Sequence, residues 1–168
     1  MQAKEQIRQR GMRRVISNKD ETRAAIVEIT RRANRGVAIL TPDLEPDIYD
    51  HDDFLETLKK FLLQRTFARV RVLISDPRRA FKDGNRFVEM GRRLNSYIEF
   101  RNIKPEHGDH AEAFCIVDET GIVYRARSDT WEGIADTHEP AVARKYLDVF
   151  DALWHASAVE GEGKPILQ

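Results

Sequence analysis

Two histidines stand three residues apart in Lys104-Pro-Glu-His-Gly-Asp-His110, with Glu106 and Asp109 beside them. Such an H-x-x-H pair offers ligands to a transition metal, but two loop histidines make at most half of a closed site. No metal is expected, and His107 and His110 read as a solvated turn or, in one alternative, as catalytic groups. A denser set of carboxylates lies in Asp43-Leu-Glu-Pro-Asp-Ile-Tyr-Asp-His-Asp-Asp53. Asp43, Glu45 and Asp47 alternate as in a calcium loop, yet Ile48 stands where that loop needs glycine and Phe54 where it needs glutamate, which excludes an EF-hand. These acids are expected to decorate a loop and the first turn of a helix, where they favour the positive end of its dipole. The pairs Arg78-Arg79 and Arg92-Arg93 could line a phosphate-binding face, because guanidinium groups match phosphate bidentately. Without aromatic interleaving the nucleic-acid signal stays weak.

Other chemistries are absent by motif. Neither G-x-G-x-x-G nor G-x-x-x-x-G-K-[ST] occurs, which argues against dinucleotide and P-loop nucleotide binding, and no G-x-S-x-G is present. No cofactor is expected. The single cysteine, Cys115, excludes an internal disulfide and a cysteine-only metal site, and within Ala113-Phe-Cys-Ile-Val117 it reads as an inert core thiol.

The elements that must position these groups follow from periodicity. Ala24, Ala25, Ile26, Ile29 and Ala33 recur at helical spacing, with Asp20 as the expected cap and Gly36 as terminator. Gly36-Val-Ala-Ile-Leu-Thr41 suits a buried strand. Phe54, Leu55, Leu58, Phe61 and Leu62 give an amphipathic helix, and Val70 to Ser75 a second strand. Phe87, Val88, Met90 and Leu94 mark another helical segment before a third strand, Tyr97 to Ile103. Ala111 to Ser128 is a hairpin: an apolar run ends on Asp118, a Glu-Thr-Gly turn follows, and Ile122 to Arg127 returns, with Gly121 expected to supply the permissive backbone. Asp129 to Glu139 is expected to be irregular. Pro140 then opens a terminal helix carrying Val142, Tyr146, Val149, Phe150, Leu153 and Trp154.

At 168 residues, 41% hydrophobic and 33% charged, the chain is expected to fold as one ordinary globular domain. The expected organisation is a basic arm or short helix over 1–19, a domain over 20–157 and a tail over 158–168. No apolar run approaches a membrane span and no signal peptide is evident, so a reducing cytoplasm is the expected location. The net charge of zero conceals blocks: 1–19 hold six Lys or Arg against one Glu, 43–56 hold seven acids and no base, and 69–93 are basic by eight to three. Such blocks meet either water, an anion or a complementary protein.

The element order and the hairpin together resemble the phospholipase D-like superfamily over about residues 20–157. The resemblance implies an α/β fold, a layered α/β/α domain with a mixed sheet flanked by helices. In that family one strand carries H-x-K-x-x-x-x-D, followed by a turn and a strand leading into a Gly/Ser-rich segment with Asn and Ser. The histidine attacks phosphorus, the lysine neutralises the phosphate, and a second histidine motif, from the same long chain or a dimer partner, is the general acid. With Asp118 of F-C-I-V-D at the family's aspartate, Ala111 falls at the histidine and Ala113 at the lysine, and neither can do that chemistry. A one-residue slip brings His110 to the nucleophile position but puts Glu112 at the lysine and Val117 at the aspartate, and turns the motif to the other sheet face.

The segments D-G-N-R-F-V-E-M-G-R-R-L-N-S-Y-I-E-F-R and F-D-A-L-W-H-A-S look like a bacterial family of unassigned function whose members lack the reactive motif. The resemblance thus implies a catalytically inactive domain in which Asp118, Arg125, Arg127 and Ser128 form a remnant pocket for a phosphate-bearing ligand, or which binds a protein partner. The alternatives are a dimeric phosphodiesterase or nuclease using His110 or His107 with Asp118, and a non-catalytic homodimeric scaffold.

Overall fold

The structure, a computed structural model, describes residues 12–80, 84–107 and 110–161. The expected basic arm is thus described only from residue 12 and the tail only as far as residue 161. Seven strands form one mixed sheet: β1 (Arg13–Ile16), β2 (Gly36–Thr41), β3 (Arg69–Ile74), β4 (Ile98–Asn102), β5 (Ala113–Val117), β6 (Gly121–Arg125) and β7 (Gly133–Asp136). Their order is β1-β7-β6-β5-β2-β3-β4, with β2, β3 and β4 parallel and the β5–β6–β7 meander antiparallel. The helices are α1 (Lys19–Arg31), α2 (Pro46–Tyr49), α3 (Asp52–Gln64), α4 (Pro77–Ala80), α5 (Arg86–Arg93) and α6 (Pro140–Gly161).

Handedness explains the layers. The steps β1 to β2, β2 to β3 and β3 to β4 all run in one direction across the sheet, and right-handed crossovers then put α1, α3 and α5 on the same face. Val37 and Ile39 of β2, Val72 and Ile74 of β3, and Cys115 and Val117 of β5 pack into that face with Ile26, Leu58 and Phe87. The alternate residues Ala38, Leu40, Leu73, Phe114 and Ile116 pack on the other face against Phe150 and Trp154 of α6. With both faces covered, β2 and β5 carry almost unbroken apolar runs rather than alternating ones.

Several local expectations are corrected. Asn18, not Asp20, caps α1: its side chain accepts from the Glu21 N–H at 2.8 Å, while the Glu21 carboxylate reaches back to the Ser17 N–H at 2.8 Å. Gly36 opens β2 rather than ending α1. The hairpin reversal uses Asp118 at φ 55° and Glu119 at φ 62°, not Gly121, whose role is close packing: a Cβ there would lie 3.3 Å from the Ile29 Cγ2 of α1. Residues 13–16 and 133–136 form strands where an arm and an irregular loop were expected. The acidic and basic charge blocks meet each other: Asp43 pairs with Arg79 at 3.1 Å, and Arg86 bonds Asp50 at 2.9 Å and Asp52 at 2.5 Å.

Candidate functional site

The hairpin places Ala113 directly opposite Arg125, on the sheet face that packs against α1 and α3. Thr41, the last residue of β2, lies on the same face, and the loop after it delivers Glu45 through two residues of positive φ, Leu44 at 67° and Glu45 at 27°. Asp43 holds this bend by accepting the Glu45 N–H at 3.1 Å.

Arg125, only 3% exposed, donates through Nη2 to the carboxylate of Glu45, itself 7% exposed. Its Nη1 donates to the carbonyls of Ser128 at 3.1 Å and Thr130 at 2.9 Å, and the guanidinium lies 4.8 Å from the Trp131 ring centroid. Thr41 donates its hydroxyl to the other Glu45 oxygen at 2.9 Å. Burial pushes the Glu45 carboxyl above its ordinary range, with Arg125 and Thr41 pulling it part of the way back. The head of the hairpin is therefore plugged by an internal ion pair in which both carboxylate oxygens of Glu45 and both terminal nitrogens of Arg125 are engaged.

The other expected site residues are placed as follows. Arg127 is exposed and grips Asp129 through Nη2 at 2.7 Å and Nε at 3.1 Å; that carboxylate raises Arg127 and is itself lowered by it. Ser128 is half-buried and donates its N–H to the Ala111 carbonyl at 2.6 Å. Arg125, Arg127 and Ser128 are thus together. Asp118 is not with them: it lies past the far end of the five-residue strand β5, about 16 Å from Ala113 at about 3.3 Å per residue. There its carboxylate accepts from the backbone N–H groups of Asn34 and Arg35, both at 2.7 Å, and of Gly36 at 3.0 Å.

His110 Nε2 lies 3.2 Å from the His107 carbonyl, and Asp109 falls outside the described residues. Glu112 points to the α6 face, where the Tyr124 hydroxyl donates to it at 2.5 Å, so the slipped register does face the other side of the sheet. Cys115 is fully buried, and burial pushes its thiol up to about 12. Among the described residues no group of three or more His, Cys, Asp or Glu could hold a metal, and no helix is long and apolar enough to cross a membrane.

A cleft of about 300 Å³ opens at the Asp118 end, lined by Arg35, Gly36, Arg69, Arg71, Asp118 and Asp151 among others. Arg71 is engaged there with Asp151 at 2.8 Å and stacks 4.9 Å from the Phe150 ring. Sequence reasoning missed Glu45, Thr41 and Trp131 as parts of the hairpin head. The only signal was an arginine at the end of an apolar strand, where burial demands a carboxylate from elsewhere in the chain.

The sequence matches, over residues 18–164, the family described as Domain of unknown function (DUF7931). The chain belongs to this family. No curated protein matches it. Among solved structures, it resembles NucT from Helicobacter pylori with a TM-score of 0.59 and 12% identity over 86% of this chain and 96% of that one. It also resembles the phosphatidylserine synthase of Haemophilus influenzae Rd KW20, with a TM-score of 0.60 and 12% identity over 89% of this chain and 40% of the synthase. A third likeness is to TrmBL2, an archaeal chromatin protein with a novel mode of DNA binding, with a TM-score of 0.59 and 13% identity over 86% of this chain and 53% of that one. The DUF7931 chain thus spans about half of TrmBL2 and two fifths of the synthase. At these identities the likeness is one of fold, and the fold is phospholipase D-like, as the hairpin implied.

Proposed function

We propose that this chain is a catalytically inactive phospholipase D-like domain that binds an anionic, phosphate-bearing ligand or a protein partner and does not cleave phosphodiesters. One observation carries the reading. Where the family motif would set its lysine, Ala113 faces Arg125, and that arginine is locked against Glu45 beneath Trp131. A phosphate entering there would have to displace a buried carboxylate, and Ala111 and Ala113 offer it no nucleophile. The fold is shared with a phosphatidylserine synthase and with a chromatin protein that binds DNA, which fits a phosphate-bearing ligand. At the hairpin head such a ligand would take the exposed Arg127 from Asp129 and meet the Ser128 hydroxyl, with Arg125 as their support and Asp118 as a remote brace of the fold.

Amide-resolved NMR titration with inorganic pyrophosphate tests the ligand. Saturable shifts at Arg127 and Ser128, lost in Arg127→Ala, are expected; shifts confined to other residues would remove this site. A second reading, the dimeric scaffold, rests on β1, an edge strand with its outer side unpaired among the described residues and Val15 79% exposed. Light scattering showing a ligand-independent dimer that Val15→Lys dissociates would favour it. The phosphodiesterase alternative has less support, since Glu112 and Arg125 face opposite sides of the sheet.

A further inference from the structure

In a parallel sheet every helix-to-strand loop arrives at the same end, so α1–β2, α3–β3 and α5–β4 deliver their connecting residues to one surface. The loops are tied together there: Arg69 donates its N–H to the Arg35 carbonyl at 3.2 Å, Arg65 reaches Asn34 Oδ1 at 2.8 Å, and Val70 donates to the Tyr97 carbonyl at 2.7 Å. Six arginines gather on this surface: Arg31, Arg32, Arg35, Arg65, Arg69 and Arg93. Among the described residues none of the six pairs with a carboxylate, and neither do Arg78 and Arg144, whereas Arg13, Arg14, Arg23, Arg79 and Arg86 elsewhere do and Arg71, in the same cleft, pairs with Asp151.

Helix C-termini favour cations, which accounts for Arg31, Arg32 and Arg93 without any ligand. That explanation does not reach Arg35, which lies in the α1–β2 loop, or Arg69, which opens β3, and these two line the 300 Å³ cleft. Of the acids lining the cleft, Asp118 is occupied by three backbone N–H groups and Asp151 by Arg71, while Glu119 is exposed. Phe67 is 64% exposed between Arg65 and Arg69, with Leu63 66% exposed near the end of α3. A solvent-facing aromatic ring bracketed by guanidiniums without carboxylate partners, Arg65 bonded to Asn34 Oδ1 and Arg69 to the carbonyls of Ala68 at 2.7 Å and Thr66 at 3.4 Å, is the pattern that holds a single strand, with phosphates on the cations and a base on the ring. An anionic membrane would ask for a broader apolar face than one phenylalanine and one leucine.

We infer that this loop end of the domain is a binding surface for single-stranded nucleic acid, read through its phosphate backbone without sequence preference. It rests on the reading of the domain as a binder of phosphate groups, but sets the contact at the opposite end of the sheet from the hairpin head.

Fluorescence anisotropy with a labelled 20-nucleotide oligothymidylate, measured across a salt series, tests it. Binding is expected, with a log–log salt slope of about −0.7 for each phosphate contacted. Arg35→Glu with Arg69→Glu should weaken binding by at least about tenfold and flatten that slope, since both contacts carry backbone phosphates. Phe67→Ala should cost about tenfold through lost stacking. Lys19→Glu, at the far end of α1, should change affinity less than twofold. Unfolding curves of each exposed-site variant check that it folds. Oligonucleotide binding lost in Arg127→Ala but kept in the Arg35/Arg69 double variant would overturn this inference while leaving the hairpin-head reading standing. Binding only to vesicles containing phosphatidylserine would overturn it in favour of a lipid surface. No binding to oligonucleotide, vesicles or pyrophosphate would overturn both.

Discussion

Replacing either member of the Arg125–Glu45 pair strands a charge in the core, whereas replacing both does not. Glu45→Gln keeps the shape of the side chain and its place beside Thr41 but leaves the guanidinium, 3% exposed, without a counter-charge. Breaking a buried pair in this way costs about 3–5 kcal/mol. Arg125→Met strands the carboxyl instead and is expected to cost a similar amount. It also frees the carbonyls of Ser128 and Thr130, but Thr130 is exposed and Ser128 half-buried, so water can replace those bonds. The double variant Glu45→Leu/Arg125→Met removes both desolvation penalties and is expected to fall within about 2 kcal/mol of the parent. With Glu45→Leu as the matching single, expected to cost at least as much as Glu45→Gln, the coupling is about 4 kcal/mol or more, read as the shortfall of the double variant from the sum of the singles.

The pH dependence has a definite sign. Burial raises the folded-state Glu45 carboxyl above its ordinary value of 4.5, so the folded state holds the proton more tightly than the unfolded one. The corresponding stability is fully present below pH 4.5 and is lost as pH rises through the raised folded value. Arg125 opposes that shift, so Arg125→Met should widen the window and lose stability at up to about 1.4 kcal/mol per pH unit within it. Urea unfolding followed by circular dichroism at pH 5 and pH 7 measures both effects. Additive single costs, or an Arg125→Met variant that becomes more stable from pH 5 to pH 7, would refute the reasoning.

Further outcomes follow from the same geometry. Asp118→Ala removes the acceptor of three backbone N–H groups and puts alanine at φ 55°, so urea unfolding should show a loss of about 2–4 kcal/mol, with Asp118→Asn closer to the parent. Gly91→Ala would put a Cβ 2.3 Å from Phe100 Cε2, where Phe100 is wedged against Phe87 with ring centroids 5.3 Å apart; a loss of about 1–3 kcal/mol is expected in the same assay. Cys115, with its thiol pushed up to about 12 and no exposed surface, should fail to react with Ellman's reagent at pH 8 until urea unfolds the chain; fast native-state labelling would show that β5 opens.

The central fold was legible where burial wrote an apolar period into the chain. Val37 to Leu40 and Phe114 to Val117 are inward on both faces, and Phe54, Leu58, Phe61 and Leu62 mark one side of α3. β1 was hidden because three of its four residues face water and two are arginines, while β7 carries Gly133 and Asp136 in only four residues. Both are held by register against neighbouring strands, which local sequence does not encode. The candidate site was partly legible. Ala111 and Ala113 followed from a register anchored on Asp118. The partner of Arg125 did not, since Glu45 lies 80 residues away and looked like one more acid in a solvated loop. Likewise, arginines scattered over three loops become one surface only when parallel strands align their starts.

The most direct test of the account is phosphodiester hydrolysis itself. Bis(p-nitrophenyl) phosphate and a labelled single-stranded oligonucleotide would be incubated with the purified chain and, in parallel, with His110→Ala. The account gives release at the buffer rate for both proteins, because Ala111 and Ala113 supply neither nucleophile nor cation and Arg125 is committed to Glu45. Turnover by the parent chain that disappears in His110→Ala would contradict it and restore the hairpin as a catalytic centre.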